Sequence, residues 1–365
     1  MLFIDILAPL LMLIPIGIYL YFIIARILSC FTTKKKKWLI TLITVVVILP
    51  AFNVWGLWFL ILIHLAIINL FVEFGNLIYK KLSKDNRRKW WIYTYKSFAL
   101  PLLITALLFS YGAWNIRNVH QTNYSVTTQK DIRDKGYKIA LISDLHFENV
   151  INSSTIDSYI SKISNENPDI VILAGDIVDE YTSHEGMKKV FKSLSKIKNR
   201  FGIFFVYGNH DYDNYGMLHF DEQELRDTIT NAGIQILEDT NATINDDIVL
   251  IGRKDYSFET RLSGSELYNK VDKTKFSVLI DHQPVELQNN SKVGFDLQLS
   301  GHTHDGQIFP AGILGEMFGL TEINYGYKKI DDYNVIVSSG MVGWGYSIRT
   351  EGISEYVIID LKSEK

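Results

Sequence analysis

The chain has 365 residues, 47% hydrophobic and 13% aromatic, with a formal charge of −3; this content excludes a disordered tail, and a lone Cys30 excludes an internal disulfide scaffold or a cysteine metal cluster. The average conceals a split, because residues 1–114 carry 12 Lys and Arg against three acids and six of the seven Trp, whereas residues 115–365 carry 25 basic residues against 37 acids. The balances are thus +9 and −12; since the basic runs punctuate apolar stretches and the polar part is acidic, nucleic acid is excluded as a partner, and any metal site must use Asp, His and Asn.

Residues 6–28 are nearly uncharged and long enough to cross a bilayer, which needs about 20 apolar residues. Arg26, near the end of this run, is expected to snorkel. The positive run at 34–37 follows the apolar segment, whereas a secretory signal would place it before, so the segment reads as a retained span. From Trp38 to Tyr79 the only charge is Glu73, over about twice the length one crossing requires. Pro50, Asn53 and Gly56, beside Trp55 and Trp58, mark the reversal. A fourth apolar run ends at Trp114, giving expected helices at 6–28, 38–54, 57–79 and 93–114. Both basic loops, 34–37 and 80–89, join spans on the same side, and Lys and Arg in short loops stay cytoplasmic. A multi-pass protein of the cell membrane follows, with both termini and the acidic portion extracytoplasmic. His64 and Asn69 are expected to make interhelical hydrogen bonds, and Glu73 to reach the inner interface.

Residues 115–136 read as a polar linker with one edge strand, and 137–365 as the catalytic portion. There one pattern recurs five times: a short, β-branched apolar run ends abruptly in polar residues. YKIALIS leads to Asp144 and His146, DIVILA to Gly175 and Asp176, and FGIFFVY to Gly208, Asn209, His210 and Asp211. FSVLI leads to Asp281 and His282, and FDLQLS to Gly301, His302, Thr303 and His304. Each run has strand length, and helix-like segments at 154–165 and 186–198 separate some of them, which argues for a layered α/β domain. Loops beyond the carboxyl ends of such strands converge, so five tips can meet in one place.

Asp, Asn and His together suit Mn, Fe or Zn, and one carboxylate among many imidazoles suits two ions sharing a bridging oxygen. Two ions about 3.5–4 Å apart clamp an in-line displacement at phosphorus and supply a nucleophile near neutral pH. Neither a GxSxG elbow nor a GxxxxGK[ST] loop is present.

Asp144-x-His146, Gly175-Asp176-x-x-Asp179, Gly208-Asn209-His210-Asp211, the solitary His282 and Gly301-His302-Thr303-His304 together resemble the calcineurin-like metallophosphoesterase family. The similarity is greatest to a membrane-anchored bacterial branch related to YkuE- and YkoQ-type phosphohydrolases. The resemblance implies a four-layer α/β/β/α sandwich following the N-terminal α-helical transmembrane module. It implies that Asp144, His146 and His304 hold one divalent ion and Asn209, His282 and His302 the other, with Asp176 bridging and Mn favoured. Asn209 and His210 would also contact substrate, His210 would protonate the leaving oxygen, and Asp211 would orient its ring or tune its pKa. Asp179 would support a ligand. The segment 343–349 (GWGYSIR) resembles a stretch that returns to the site, so Arg349 is expected to bind a phosphate oxygen, although Ser347 stands where that stretch usually has Pro. Asp305 replaces the commoner Gly after the last motif and is expected to strengthen metal retention or bond a His.

Asp281 reads as a structural acid, and His184 and His219 as surface residues, with His219, Tyr215 and Asp221 as an alternative substrate cap. The apolar stretch 308–320 has one charge, Glu316, and suits either a loop over the core or the entry of a lipid phosphate. The expected function is a membrane-anchored phosphohydrolase acting on a phosphate ester or pyrophosphate, lipid-linked by preference, through a metal-bridging hydroxide, with the bilayer as partner. Two alternatives stay open: a phosphodiesterase for small soluble molecules, and a non-catalytic receptor or transporter subunit.

Overall fold

A computed structural model describes residues 2–32, 36–82, 89–213 and 216–364. Lys34, Lys35, Lys84, Arg87 and Arg88 of the basic loops, and Tyr215 of the cap reading, lie outside the described residues. The chain forms two compact units, 1–111 and 112–365.

The first unit holds α1 (Leu2–Leu28), α2 (Lys37–Ile48), α3 (Leu57–Leu82), α4 (Lys89–Ser97) and most of α5 (Ala99–Asn115). Among the described residues, α1 and α3 are long and apolar enough to cross a membrane, and a third span exists if the α4–α5 pair, bent by 64°, counts as one. The expected second span is the shorter apolar stretch Lys37–Phe52; 16 residues rise only about 24 Å against a hydrocarbon core of about 30 Å. The bend has local causes: Phe98 has φ 63°, and Pro101 offers no N–H to the turn before it.

Leu13, Leu20, Ile23, Phe59, Leu62 and Leu65 form an apolar core between the helices. Several polar side chains beside it pair with one another, as burial favours. Arg26 pairs with Glu73 rather than snorkelling, and it also donates to Asn69 Oδ1 at 3.1 Å. Tyr95 donates to Glu73, and Asn69 meets the Tyr19 hydroxyl on another helix. The interhelical expectation for Asn69 therefore matches. His64 Nδ1 bonds Leu60 O of its own helix at 2.8 Å, and its ring packs edge-on against Phe109. A carbonyl one turn back is the nearest acceptor for a helical side chain, so the bond closes locally.

The second unit runs β1 (Val119–Thr128), β2 (Tyr137–Ile142), α6 (Ile156–Asn165), β3 (Ile170–Ala174), α7 (His184–Leu194), β4 (Ile203–Val206), α8 (Glu222–Asn231) and β5 (Gln235–Ile236). It continues with β6 (Thr240–Ile244), β7 (Ile248–Gly252), α9 (Gly264–Tyr268), β8 (Phe276–Ile280), α10 (Leu287–Val293), β9 (Leu297–Ser300), α11 (Ala311–Met317), β10 (Gly326–Ile330), β11 (Tyr333–Val337) and β12 (Ser354–Ser363). The strands form two six-stranded sheets, ordered β1-β12-β2-β3-β4-β5 and β10-β11-β9-β8-β7-β6. β2 to β5 are mutually parallel, as are β7, β8, β9 and β11.

Between the sheets, Ile139, Leu141, Ile172 and Phe204 from one meet Leu250, Val278, Leu297 and Ile336 from the other. The outer face of the first sheet is covered by α6 to α8 through Ile160, Val190, Phe191 and Leu225. Leu267 of α9 and Leu287 of α10 cover the second. This is the four-layer α/β/β/α sandwich. Strands buried on both faces are apolar at consecutive positions, which is why the five runs read as strands. The expected linker joins the same unit, because β1 pairs in parallel with β12 along its full length.

Candidate metal centre

Three of the five runs end in loops whose backbone takes the left-handed form at non-glycine residues: Asp144 (φ 51°), His146 (39°), Asp176 (53°), His302 (73°) and His304 (51°). Such conformations are costly and persist where the surroundings enforce them, typically at functional sites. Here they turn polar side chains inward at the carboxyl ends of β2, β3 and β9. Gly208 and Gly301 allow the loops to close, because a Cβ at either would lie 2.2 Å from a carboxylate oxygen, of Asp176 and Asp144 respectively.

Two clusters result, Asp144 with His146 and His304, and Asp176 with His282 and His302, each able to hold a metal ion. Asp176 Oδ2 lies 3.1 Å from His282 Nε2 and 3.9 Å from His146 Nε2, so it faces both. The adjoining loop places Asn209 beside it, since His210 N donates to Asp176 Oδ1 at 2.8 Å. His146 Nε2, Asp176 Oδ2, His282 Nε2 and His304 Nδ1 are buried and carry no hydrogen bond. Buried polar atoms are nearly always satisfied, and four aimed at one place fit two divalent ions.

Supporting contacts set which ring nitrogen faces the centre. His146 Nδ1 donates to Asp179 Oδ2 at 2.9 Å, and His282 Nδ1 to Ala174 O at 2.8 Å, leaving each Nε2 lone pair for an ion. Asp144 accepts His302 N on both oxygens, at 3.0 and 3.1 Å.

Burial and neighbouring charges divide the four imidazoles into two pairs. Burial and neighbouring His282 push the His302 imidazole down to about 4, and burial with His146 and Arg349 holds His304 well below its ordinary value. Burial also opposes charge on His146, but the Asp179 bond and the Asp179, Asp176 and Asp144 charges raise it to about 9. For His282, the Asp176 and Asp144 carboxylates outweigh burial and raise it well above 6.5. In the metal-free protein His146 and His282 therefore carry protons at neutral pH, and an ion must displace them. Apparent Mn affinity is expected to rise by up to about ten-fold per pH unit per displaced proton between pH 6 and 8. Titration calorimetry in buffers of different ionisation enthalpy measures both affinity and proton release; a pH-independent affinity would contradict it. For the metal-free chain the sign is opposite. A raised His stabilises fully below about 6.5 and loses that contribution as pH rises through about 9.

Three expected roles come out differently. The Asp211 carboxylate accepts four backbone N–H groups, from Asp176 and Gly208 at 2.7 Å, Ile177 at 3.0 Å and Val178 at 3.1 Å, clasping two loops of the site together. The carboxylate at His210 is Glu180, 3.3 Å from Nδ1, and Trp344 Nε1 donates to its other oxygen at 2.8 Å. The Trp344 ring lies over His210, centroids 4.8 Å apart. Segment 343–349 thus reaches the site through Trp344, not Arg349. Arg349 is wholly buried and donates to the carbonyls of His304 and Ser339, each at 2.8 Å, and Val342 at 2.5 Å. A guanidinium ringed by backbone acceptors braces the His304 loop and has little left to offer a substrate. Asp305 bonds Asn324 at 3.3 Å instead of a His.

The remaining expectations are placed as follows. Asp281 is buried against Arg261, at 2.7 Å, and Arg253, at 3.4 Å, a structural acid. His184 pairs with Glu224 on the surface, and Asp221 caps α8 through Glu224 N at 2.7 Å. Glu180, Met217, Leu218, Tyr212, Asp213 and His210 line a shallow depression beside the site, with room for about one water molecule. Glu180 escaped the sequence reading although it directly follows Asp179; a third acid in that motif was the available signal.

The family model for calcineurin-like phosphoesterases matches residues 137–306. Among curated relatives, an uncharacterized metallophosphoesterase of Campylobacter jejuni is 30% identical over 278 residues, covering 73% of this chain and 70% of that protein. A transmembrane protein with a metallophosphoesterase domain from Danio rerio is 25% identical, covering 86% of this chain and 73% of its own. The uncharacterized metallophosphoesterase YkuE of Bacillus subtilis is 29% identical, covering 62% and 80%.

Proposed function

The chain belongs to the calcineurin-like metallophosphoesterase family, and from that premise we propose that it is a membrane-anchored, dinuclear-metal phosphohydrolase whose catalytic unit faces the extracytoplasmic side. The observation that carries this reading is Asp176 Oδ2, set between His146 and His282 of two separate ligand clusters. Asp144, His146 and His304 would hold one ion and Asn209, His282 and His302 the other, with Asp176 shared and Mn the favoured metal. Such a pair supplies Lewis acidity and a nucleophile at neutral pH. His210, beside the clusters, would give its proton to the leaving oxygen. Glu180 and Trp344 hold its ring in place from two sides. The apolar helices anchor the unit in the bilayer, with four spans as the proposed topology, in which the short Lys37–Phe52 stretch crosses by local thinning of the bilayer.

The test is hydrolysis of bis-(p-nitrophenyl) phosphate and p-nitrophenyl phosphate by the detergent-extracted full chain after loading with Mn, Fe or Zn. Turnover that EDTA abolishes and metal restores is expected; no turnover with any of the three rejects the proposal. Glu180→Gln should separate by leaving group. Phenyl phosphate, whose leaving group is poorer than that of p-nitrophenyl phosphate, needs a well-placed acid, so its kcat should fall about 10- to 100-fold, with p-nitrophenyl phosphate much less affected and KM little changed. Equal losses for both esters would show that Glu180 does not act through His210.

A further inference from the structure

The stretch after the last ligand loop is apolar and uncovered. Within twelve residues Phe309, Ile313, Leu314, Met317, Phe318 and Leu320 are exposed, Met317 at 65%, Phe318 at 68% and Leu320 at 77%. Its only charge is Glu316. A contiguous apolar patch of this kind on a water-facing surface marks a binding face.

The stretch is also rigidly held. Gly312 N and Ile313 N donate to the two oxygens of Glu351, at 2.9 and 3.1 Å, and Phe309 N donates to Thr350 Oγ1 at 2.9 Å. Gly306, two residues past His304, packs so closely on Gly312 that a Cβ would lie 2.1 Å from its nitrogen. The exposed side chains are therefore presented at a set position relative to the ligand loop.

What covers the face follows from the residues that begin this same unit. At its start, the end of apolar helix α5, Gly112 O accepts Arg349 N at 3.0 Å, and Asn115 Nδ2 donates to Arg349 O at 3.2 Å and Gly352 O at 2.9 Å. Segment 348–352 thus holds both the end of the last apolar helix and, through Thr350 and Glu351, the apolar face. Trp114, 58% exposed, marks the interfacial level there. A face tied so closely to the end of an apolar helix lies within reach of the lipid surface.

We infer that α11 and its flanks are a lipid-contacting rim, inserted in the interfacial layer of the bilayer, through which the metal centre takes the phosphate ester of a membrane lipid. The substrate part of this inference rests on the phosphohydrolase reading; the rim does not.

The full chain, with Cys30→Ser and a single Phe318→Cys carrying an environment-sensitive fluorophore, is reconstituted in phosphatidylcholine nanodiscs containing doxyl-labelled lipid. The label at 318 is expected to be quenched by doxyl lipid several-fold more than one at exposed Lys273→Cys. A label at 318 quenched by iodide and not by doxyl lipid overturns the rim. So does one shielded from both quenchers, which would indicate a second copy or another protein on the face. In the second arm, Ile313→Ser/Met317→Ser/Phe318→Ser is assayed with phosphatidic acid in vesicles and with bis-(p-nitrophenyl) phosphate. We expect kcat/KM for the lipid to fall about ten-fold or more and that for the soluble ester to hold. Unchanged lipid turnover, or an equal loss on both substrates, overturns the lipid route. If the parent chain hydrolyses no ester, the phosphohydrolase reading fails, and quenching alone decides the rim.

Discussion

Asp176→Ala is expected to reduce hydrolysis of bis-(p-nitrophenyl) phosphate by the Mn-loaded full chain by a factor on the order of 10³ or more, with metal content falling from two ions per chain to one or none. Its Oδ2 stands 3.9 Å from His146 and 3.1 Å from His282, one imidazole from each cluster, so removing it weakens both sites at once. Burial opposes the charge on Asp176, but His282, His210 and His146 hold its carboxyl well below the usual range, and it stays ionised. Ala also takes the acceptor from His210 N. Asp176→Asn is the sharper control, because an amide oxygen can keep that hydrogen bond while losing the charge. Metal analysis and kcat together separate the cases; a variant that keeps two ions and near-normal turnover would rule out a shared carboxylate.

Arg349→Met is expected to lower stability by about 3–5 kcal/mol, the range for removing one partner from a buried charged network. For a unit of this size that is roughly a 10 °C fall in Tm at about 2–4 °C per kcal/mol. Three carbonyls would lose their donor, among them that of ligand His304. Lys should not rescue, because a single ammonium on a flexible stem cannot match a planar fork of five N–H donors. Thermal unfolding monitored in detergent checks this. An unchanged Tm with a raised KM would instead restore the phosphate-binding role that the GWGYSIR segment suggested.

The two candidate clusters were legible because each of their residues stands within a few residues of a strand end. An apolar, β-branched run followed by Asp, Asn or His is a local signal, and the strands that bear these tips are buried on both faces, so their composition betrays them. Glu180, Trp344 and Arg349 were misread or missed because their partners are remote in the chain. Trp344 meets Glu180 across 164 positions, and no periodicity records such a pairing. Asp211 shows the same limit at short range: adjacency to His210 suggested that the two act together, whereas the backbone turns the carboxylate toward the N–H groups of Asp176 to Val178.

In the first unit, composition located the apolar segments, while helix length and the bend at Phe98 decided how many could cross a bilayer unaided. The charge division, +9 before Trp114 and −12 after it, was readable without coordinates, since charge and apolar run length are properties of the linear chain. So was the kind of ligand available, once a single cysteine had removed thiolates. Tertiary structure alone decided that the two sheets bring Asp176 between the clusters, that Arg349 braces the backbone, and that the 308–320 stretch is exposed rather than packed over the core. Each of these depends on which surfaces meet when distant segments close on one another, and burial is a property of that meeting rather than of any residue by itself.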